Sequence, residues 1–211
     1  MVGRFFEGIQ GGRLAHAEWR RYIPKDIEKK LFSDNMSELS LSDPLNNYKN
    51  IIQSSSNLLD GILLADQKYY LPSDLLMKVD LMSMAHGLEV RVPFLDRNVM
   101  EFANSLSHKL LLGNFKSQKK RFLRNQLNRF SVSKKIINQS KSGFEFPTRN
   151  ILRDELLQMC DTLFLKNADI FKPYLNSDTI RNIWVQHKNR ERDYSYFIWT
   201  LLTLAVWWQE F

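Results

Sequence analysis

"YLPSDLLMKVDLMSMAHGLEVRVPFLD", residues 70–96, sets Asp80, Glu89, Arg91 and Asp96 among side chains that otherwise read as core. Ser73 stands ahead of Leu75, Val79, Met82 and His86, which recur at i, i+4, i+7 and i+11, so the spacing predicts a helix with Ser73 as its cap. Asp80, Ser83 and Gly87 occupy another face, and Gly87 is the natural terminator. Beyond it "LEVRVPF" alternates, turning Glu89 and Arg91 to one side and Val90 and Val92 to the other. The change from helix to extended chain aims an acid and a base the same way. Asp96 precedes "RNVMEFANSLS", where Val99, Phe102, Ala103 and Leu106 have helical spacing, and that position favours an N-cap role.

Working outward, the 211 residues are 44% hydrophobic, enough to bury the core of one sizeable domain. Eight Gly and six Pro are too few for a many-stranded sheet with its turns, so the composition predicts a mainly α protein of long helices and short loops. No segment reads as a linker between independent domains, and 1–211 is expected to form a single helical domain. "AEWRRYIPKDIEKKLF" places Pro24 at the first turn of a second helix. "SDNMSELSLSDPLNNYKN" reads as a loop, and a helix is expected through "YKNIIQSSSNLLDGILLADQKYY". "DYSYFIWTLLTLAVWWQEF" reads as a buried helix carrying Trp199, Trp207 and Trp208.

One cysteine, Cys160, leaves no internal disulfide framework, and no Cys/His spacing suits a zinc site. The opening "MVGRFFEGIQGG" lacks the apolar core of a signal peptide, and "FIWTLLTLAVWW" is too short to span a bilayer, so a soluble, cytoplasmic protein is expected. The net charge of +7 is concentrated in residues 116–141, whose nine Lys and Arg and no acids leave the rest of the chain at −2. Such a stretch attracts phosphates or other polyanions, or else forms one solvated helix face. Within it "KKRFLRNQLNRF" carries an apolar stripe of Phe122, Leu123, Leu127 and Phe130, followed by the turn "SKSGFEFP", where Phe144 and Phe146 are expected to pin the chain to the core.

These stretches together resemble the asparagine synthase family. Residues 70–96 carry its Leu-Pro, Lys-Val-Asp, Ser-Met-Ala and Glu-x-Arg-x-Pro-Phe-Leu-Asp motifs; "KKRFLR" is similar to its Lys-Tyr-Leu-Leu-Arg helix and "KSGFEFP" to its Lys-x-Gly-Phe-x-x-Pro turn. "FIWTLLTLAVWWQEF" is similar to the helix that ends many members. The resemblance implies the C-terminal, helical portion of an adenine-nucleotide α-hydrolase-like synthetase domain, lacking most of its parallel sheet. Members use ATP to adenylate a carboxylate, aspartate in asparagine synthetase itself, then form the amide with ammonia drawn from glutamine, releasing AMP and pyrophosphate.

Residue by residue, the resemblance puts Lys120 at the lysine that contacts phosphates, with Lys119 as the competing register. It puts Glu89 and Arg91 at the Glu-x-Arg pair beside the synthetase site, where Arg91 can reach a phosphate or carboxylate and Glu89 can orient it; a purely structural ion pair is the alternative. Asp80 matches the aspartate after Lys-Val, although Leu81 follows it where members often carry Arg. Lys141 and Gly143 match the turn, Gly143 as a structural residue. ATP and magnesium are implied, without an identifiable ligand set for the metal.

Two parts of the family pattern are missing. Val2 stands where the glutaminase half has its catalytic cysteine, and neither Ser-Gly-Gly-x-Asp-Ser nor Ser-Gly-x-Gly-x-Asp-Glu occurs. The expectation is a fragment, or a product of a split or degraded gene, that begins just after the acidic segment and ends where the family ends. It would be inactive alone and partnered by the N-terminal half of the synthetase. Competing readings are a relative that amidates another carboxylate, a non-catalytic interaction domain, and a basic helical nucleic-acid-binding module; no recognisable nucleic-acid-binding signature supports the last.

Overall fold

The computed structural model describes residues 12–23, 25–37, 42–112, 120–139 and 146–210. The chain groups into two compact units, one of residues 1–49 and 144–211, the other of residues 50–143. Both are helical; the only extended pairing among the described residues is an isolated antiparallel bridge between Phe32 and Leu175.

The first unit begins with α1 (Ala15–Glu18), α2 (Lys25–Leu31) and the single turn α3 (Asp34–Ser37) inside the stretch expected to be loop. Helix α2 starts beside Pro24, which lies outside the described residues. A charge cluster ties the start of the unit together. Arg21 reaches Glu28 and Asp43 at 3.0 Å each, and Lys49 reaches Glu18 at 2.6 Å and Asp43 at 2.7 Å. Partial burial disfavours the Asp43 charge, but Lys49, the Leu45 N–H and Arg21 hold it down at about 2.

The helix expected from residue 48 onward is broken in two, α4 (Asn46–Ser54) and α5 (Leu58–Ala65). The break has a local cause. The Ser54 and Ser55 hydroxyls both donate to the Ile51 carbonyl, and the Asn57 side chain accepts from the Leu59 and Asp60 N–H groups to start a new helix. Gly61 makes the close approach possible: a Cβ there would lie 3.0 Å from the Ile52 Cα.

From α5 the second unit runs without interruption through a π-helical segment, Asp66–Leu76, into α6 (Met77–Met84). This corrects the expectation that Ser73 caps a new helix. Pro72 sits inside the π segment, where the Met77 N–H donates to the Pro72 carbonyl; the wider register carries the helix past a residue with no N–H of its own. Gly87 does end it, at φ +64°, with Gly87 N–H bonded to Met84 and Leu88 N–H to Ser83. A 3₁₀ turn, Pro93–Leu95, leads to α7 (Arg97–Ser105), capped by Asp96, which accepts from the Asn98 and Val99 N–H groups as its position suggested. Then follow α8 (His108–Leu112), α9 (Arg121–Arg129) and α10 (Lys134–Ile137). Rings of Phe102 and Phe122 meet at 5.7 Å.

The rest of the first unit holds the main core, built from α11 (Thr148–Arg153), α12 (Leu157–Asp161), a π turn at Thr162–Lys166, α13 (Ser177–Lys188) and α14 (Ser195–Glu210). In α13, Ile180, Ile183, Trp184 and His187 fall on one buried face, Asn176 caps the start, and the Lys188 cation suits the last turn. Helix α14 is buried through Phe197, Ile198, Leu201, Leu202 and Ala205. Its tryptophans depart from expectation: Trp199 is 38% and Trp207 54% exposed, while Trp208 packs half-buried against Phe171 and Tyr174. Five apolar positions already fill the buried face of α14, which leaves the larger rings at its edges. Phe146 meets the Trp199 ring edge-on at 5.8 Å but stays exposed; Phe144 lies outside the described residues.

Inside this core His187 is fully buried. Its Nδ1 accepts from the Tyr194 N–H at 3.2 Å, which leaves the proton on Nε2, and Nε2 has no hydrogen-bond partner among the described residues. Burial pushes His187 down to about 4, and the nearby Arg153 cation works in the same direction. Cys160 is buried and free, its thiol pushed up to about 11 by burial. No described helix is long and apolar enough to cross a membrane.

Candidate functional site

The family-motif residues of 70–96 and 120–124 lie in the second unit, while Phe146, Pro147 and the motif helix α14 lie in the first. After Gly87 the chain leaves helical geometry, and Arg91 Nη2 comes 2.5 Å from Glu89 Oε1, so the acid and base that the alternation turns to one side do meet. Both stay open to solvent, at 71% and 85% side-chain exposure for Glu89 and Arg91. Arg91 lines a shallow groove of about 430 Å³ with Val90, Val92, Pro93, Leu95 and Asp96. The Asp96 carboxylate is engaged in its cap.

Asp80 is exposed on α6, where its carbonyl accepts from the Ser83 hydroxyl and its carboxylate forms no ion pair among the described residues. Lys78, one turn from Asp74, pairs with it at 2.8 Å. No ion pair or hydrogen bond among the described residues links Asp80 or Lys120 to the Glu89–Arg91 pair. Lys119, Lys141 and Gly143 lie outside the described residues.

Lys120 occupies the position immediately before α9 and holds a left-handed backbone, φ 59° and ψ 37°. That conformation is uncommon for a side-chain-bearing residue and is tolerated where the surroundings demand it. Its carbonyl accepts the first helical bond, from the Arg124 N–H at 3.0 Å, and its side chain, which can only donate, caps none of the first-turn amides. Arg121 and Arg124 follow on the same helix, with no acidic residue in its first turn. Arg121 donates to the Lys109 carbonyl at 3.4 Å and Arg124 to the Gln139 carbonyl at 3.5 Å, so the start of this nine-residue helix carries three cationic residues in sequence beside its positive end, a composition suited to phosphate oxygens. Sequence reasoning assigns no role to Arg121 or Arg124, although the charge density of residues 116–141 includes both and the "KKRFLR" motif match includes Arg124.

For a divalent cation the fit is poor. Among the described residues no group of three His, Cys, Asp or Glu side chains is placed to hold a metal ion, so the magnesium that the family resemblance implies has no ligand set here.

Comparison with known proteins supplies the remaining observations. The family model described as asparagine synthase matches residues 9–209. Asparagine synthetase [glutamine-hydrolyzing] 1 of Bacillus subtilis is 26% identical over 187 residues, covering 89% of this chain and 29% of that protein. Putative asparagine synthetases [glutamine-hydrolyzing] of Mycobacterium bovis and Mycobacterium tuberculosis are 32% identical over 144 residues, covering 65% of this chain and 21% of theirs. The match thus spans less than a third of the length of these relatives. No solved structure matches the chain significantly.

Proposed function

The chain belongs to the asparagine synthase family, and from that premise we propose that it is one part of an ATP-dependent amide ligase, its 211 residues acting as a single helical domain. The reaction has two steps. A carboxylate oxygen of the substrate, aspartate by analogy with the relatives' names, attacks the α-phosphorus of ATP and expels pyrophosphate. Ammonia, released from glutamine elsewhere in the enzyme, then attacks the activated carbonyl; AMP leaves and a proton is lost.

In this reading Lys120 contacts the departing phosphates, with Lys119 as the alternative register. Arg91, steered by Glu89, binds phosphate or carboxylate, and Asp80 is assigned to substrate or phosphate binding by its family motif alone. The observation that carries the reading is the N-terminal end of α9, where Lys120, Arg121, Arg124 and uncapped amides stand together. Cationic groups fixed in advance stabilise charge on a leaving pyrophosphate without reorganising during the step. Because the sequence has no Gly-rich phosphate loop, the isolated chain is inactive. Its workplace is the cytoplasm.

Calorimetric titration with pyrophosphate and with Mg-ATP tests this, beside Lys120→Ala. The expected result is saturable pyrophosphate binding that the substitution weakens about tenfold or more, the loss of one charge-assisted contact. Equal binding by both proteins, or ATP-dependent amide formation by the chain alone, would overturn the assignment of Lys120 or of inactivity respectively.

A further inference from the structure

Helix α14 starts inside the core, and its first amides have two unlike acceptors. Tyr194 and Ser195 are 3% and 4% exposed, so neither N–H can turn to water. The Ser195 N–H donates to Asp193 Oδ1 at 3.0 Å, while the Tyr194 N–H donates to His187 Nδ1 at 3.2 Å. His187, on the last turn of α13, is thus tied to α14 by its ring and to α11 by its carbonyl, which accepts from Arg153 Nε at 2.9 Å. The Tyr194 carbonyl takes the first bond of α14, from the Ile198 N–H at 2.9 Å, so whatever holds the Tyr194 N–H also aims the helix. Only an unprotonated Nδ1 can accept, and Nε2 gives the ring no second anchor among the described residues.

From this we infer that His187 is an acid-released latch: the neutral imidazole holds the first turn of α14 to α13, and a proton taken up on Nδ1 loosens that turn while the rest of the core stays folded. The charged groups facing the ring set the direction. Helix α11 brings Arg153 and Arg149, which repel an imidazolium, and the connection between α13 and α14 brings Asp193, 3.7 Å from Nδ1, which attracts one. That carboxylate is already engaged by Arg149 Nε at 2.8 Å and by the Ser195 N–H. On α13 itself the neighbouring ring is the uncharged Trp184, at 5.9 Å, and α14 carries no charge before Glu210. Burial, helped by Arg153, keeps His187 neutral down to about 4. Once protonated, Nδ1 changes from acceptor to donor and faces the Tyr194 N–H, leaving two buried donors opposed. The opening is bounded, because two neighbouring contacts need no imidazole: the Arg190 N–H stays on the His187 carbonyl at 3.1 Å, and Arg192 stays paired with Asp26 of α2 at 2.7 Å. The part that loosens is therefore residues 193–198.

Amide hydrogen exchange of the full 211-residue chain, resolved by NMR and corrected for the intrinsic pH dependence of exchange, tests the latch alongside the imidazole nitrogen signals. At neutral pH the nitrogen signals should show His187 protonated on Nε2 alone. As the pH falls from neutral toward 4, the protection of the Tyr194 amide should drop by about tenfold or more, the loss of one buried hydrogen bond, while Ile183 and Trp184 of α13 keep theirs. His187→Asn offers Oδ1 where Nδ1 stood and does not titrate, so its Tyr194 protection should stay level across the same range. His187→Phe has no acceptor and should lack that protection already at neutral pH. A proton on Nδ1 at neutral pH would overturn the proposal, as would titration of His187 without change at Tyr194. Loss of protection at Ile183 together with Tyr194 would overturn it too, by making the transition global, and so would a fall in His187→Asn as steep as in wild type. Should either variant fail to fold, the wild-type measurements decide alone.

Discussion

Arg91 Nη2 lies 2.5 Å from Glu89 Oε1, with both side chains almost wholly in solvent. An ion pair in that setting contributes little, because water screens the attraction and two long side chains must be held still. Arg91→Ala and Glu89→Gln are therefore expected to change the unfolding free energy of the chain by less than about 0.5 kcal/mol, measured by urea denaturation. A loss of several times that would assign the pair to structure and remove the reason to place Arg91 at a substrate.

His187 makes stability pH-dependent. Its folded-state value is about 4 and its ordinary value 6.5, so the unfolded chain takes up the proton first as pH falls. The contribution is complete above pH 6.5 and lost as pH drops toward 4; the full difference is roughly 3 kcal/mol. Arg153 and Arg149 oppose protonation, and Asp193, with Oδ1 3.7 Å from Nδ1, favours it. The aspartates held below their ordinary range, among them Asp43, Asp161 and Asp193, add their own losses only below about pH 4. Urea midpoints should accordingly fall between pH 6.5 and 4 in wild type and stay flat across that window in His187→Gln. A parallel fall in the variant would assign the slope to other groups.

The approach of α4 and α5 predicts the outcome at Gly61. A methyl group there would meet the Ile52 Cα at 3.0 Å, a backbone atom that cannot swing aside. Gly61→Ala improves helix propensity by about 1 kcal/mol, yet overpacking of 1–3 kcal/mol should outweigh it. The expected result is a lower urea midpoint, whereas a stabilised variant would show that the two helices separate easily.

How far the sequence could be read depended on whether the deciding interaction was local. Asp96 and Gly87 were legible because a cap and a left-handed terminator are chosen by residue type within one turn, and both stand where their chemistry puts them. Ser73 misled, since the π register that carries the chain past Pro72 leaves no mark in apolar spacing. The tryptophans of α14 misled for another reason: which of its faces is buried depends on packing against distant elements, and Trp207 lost that competition to Leu201 and Ala205. At the candidate site, the doubled lysine left the register open by one residue, and motif reading said nothing of the backbone conformation that distinguishes Lys120.

That conformation separates two roles of Lys120. A left-handed backbone is about as accessible to glycine as a right-handed one, while for lysine it carries strain on the order of 1 kcal/mol. Lys120→Gly should thus raise the stability of the chain, or at worst leave it level once the unfolded state's extra freedom is included, as read by urea denaturation. Lys120→Ala keeps the strain and should leave stability nearly unchanged. For pyrophosphate binding the two substitutions should be equally harmful if the ammonium group is what meets the phosphate. If Lys120→Gly retains affinity that Lys120→Ala loses, the phosphate is held by the backbone amides at the start of α9, and the lysine serves to shape that turn.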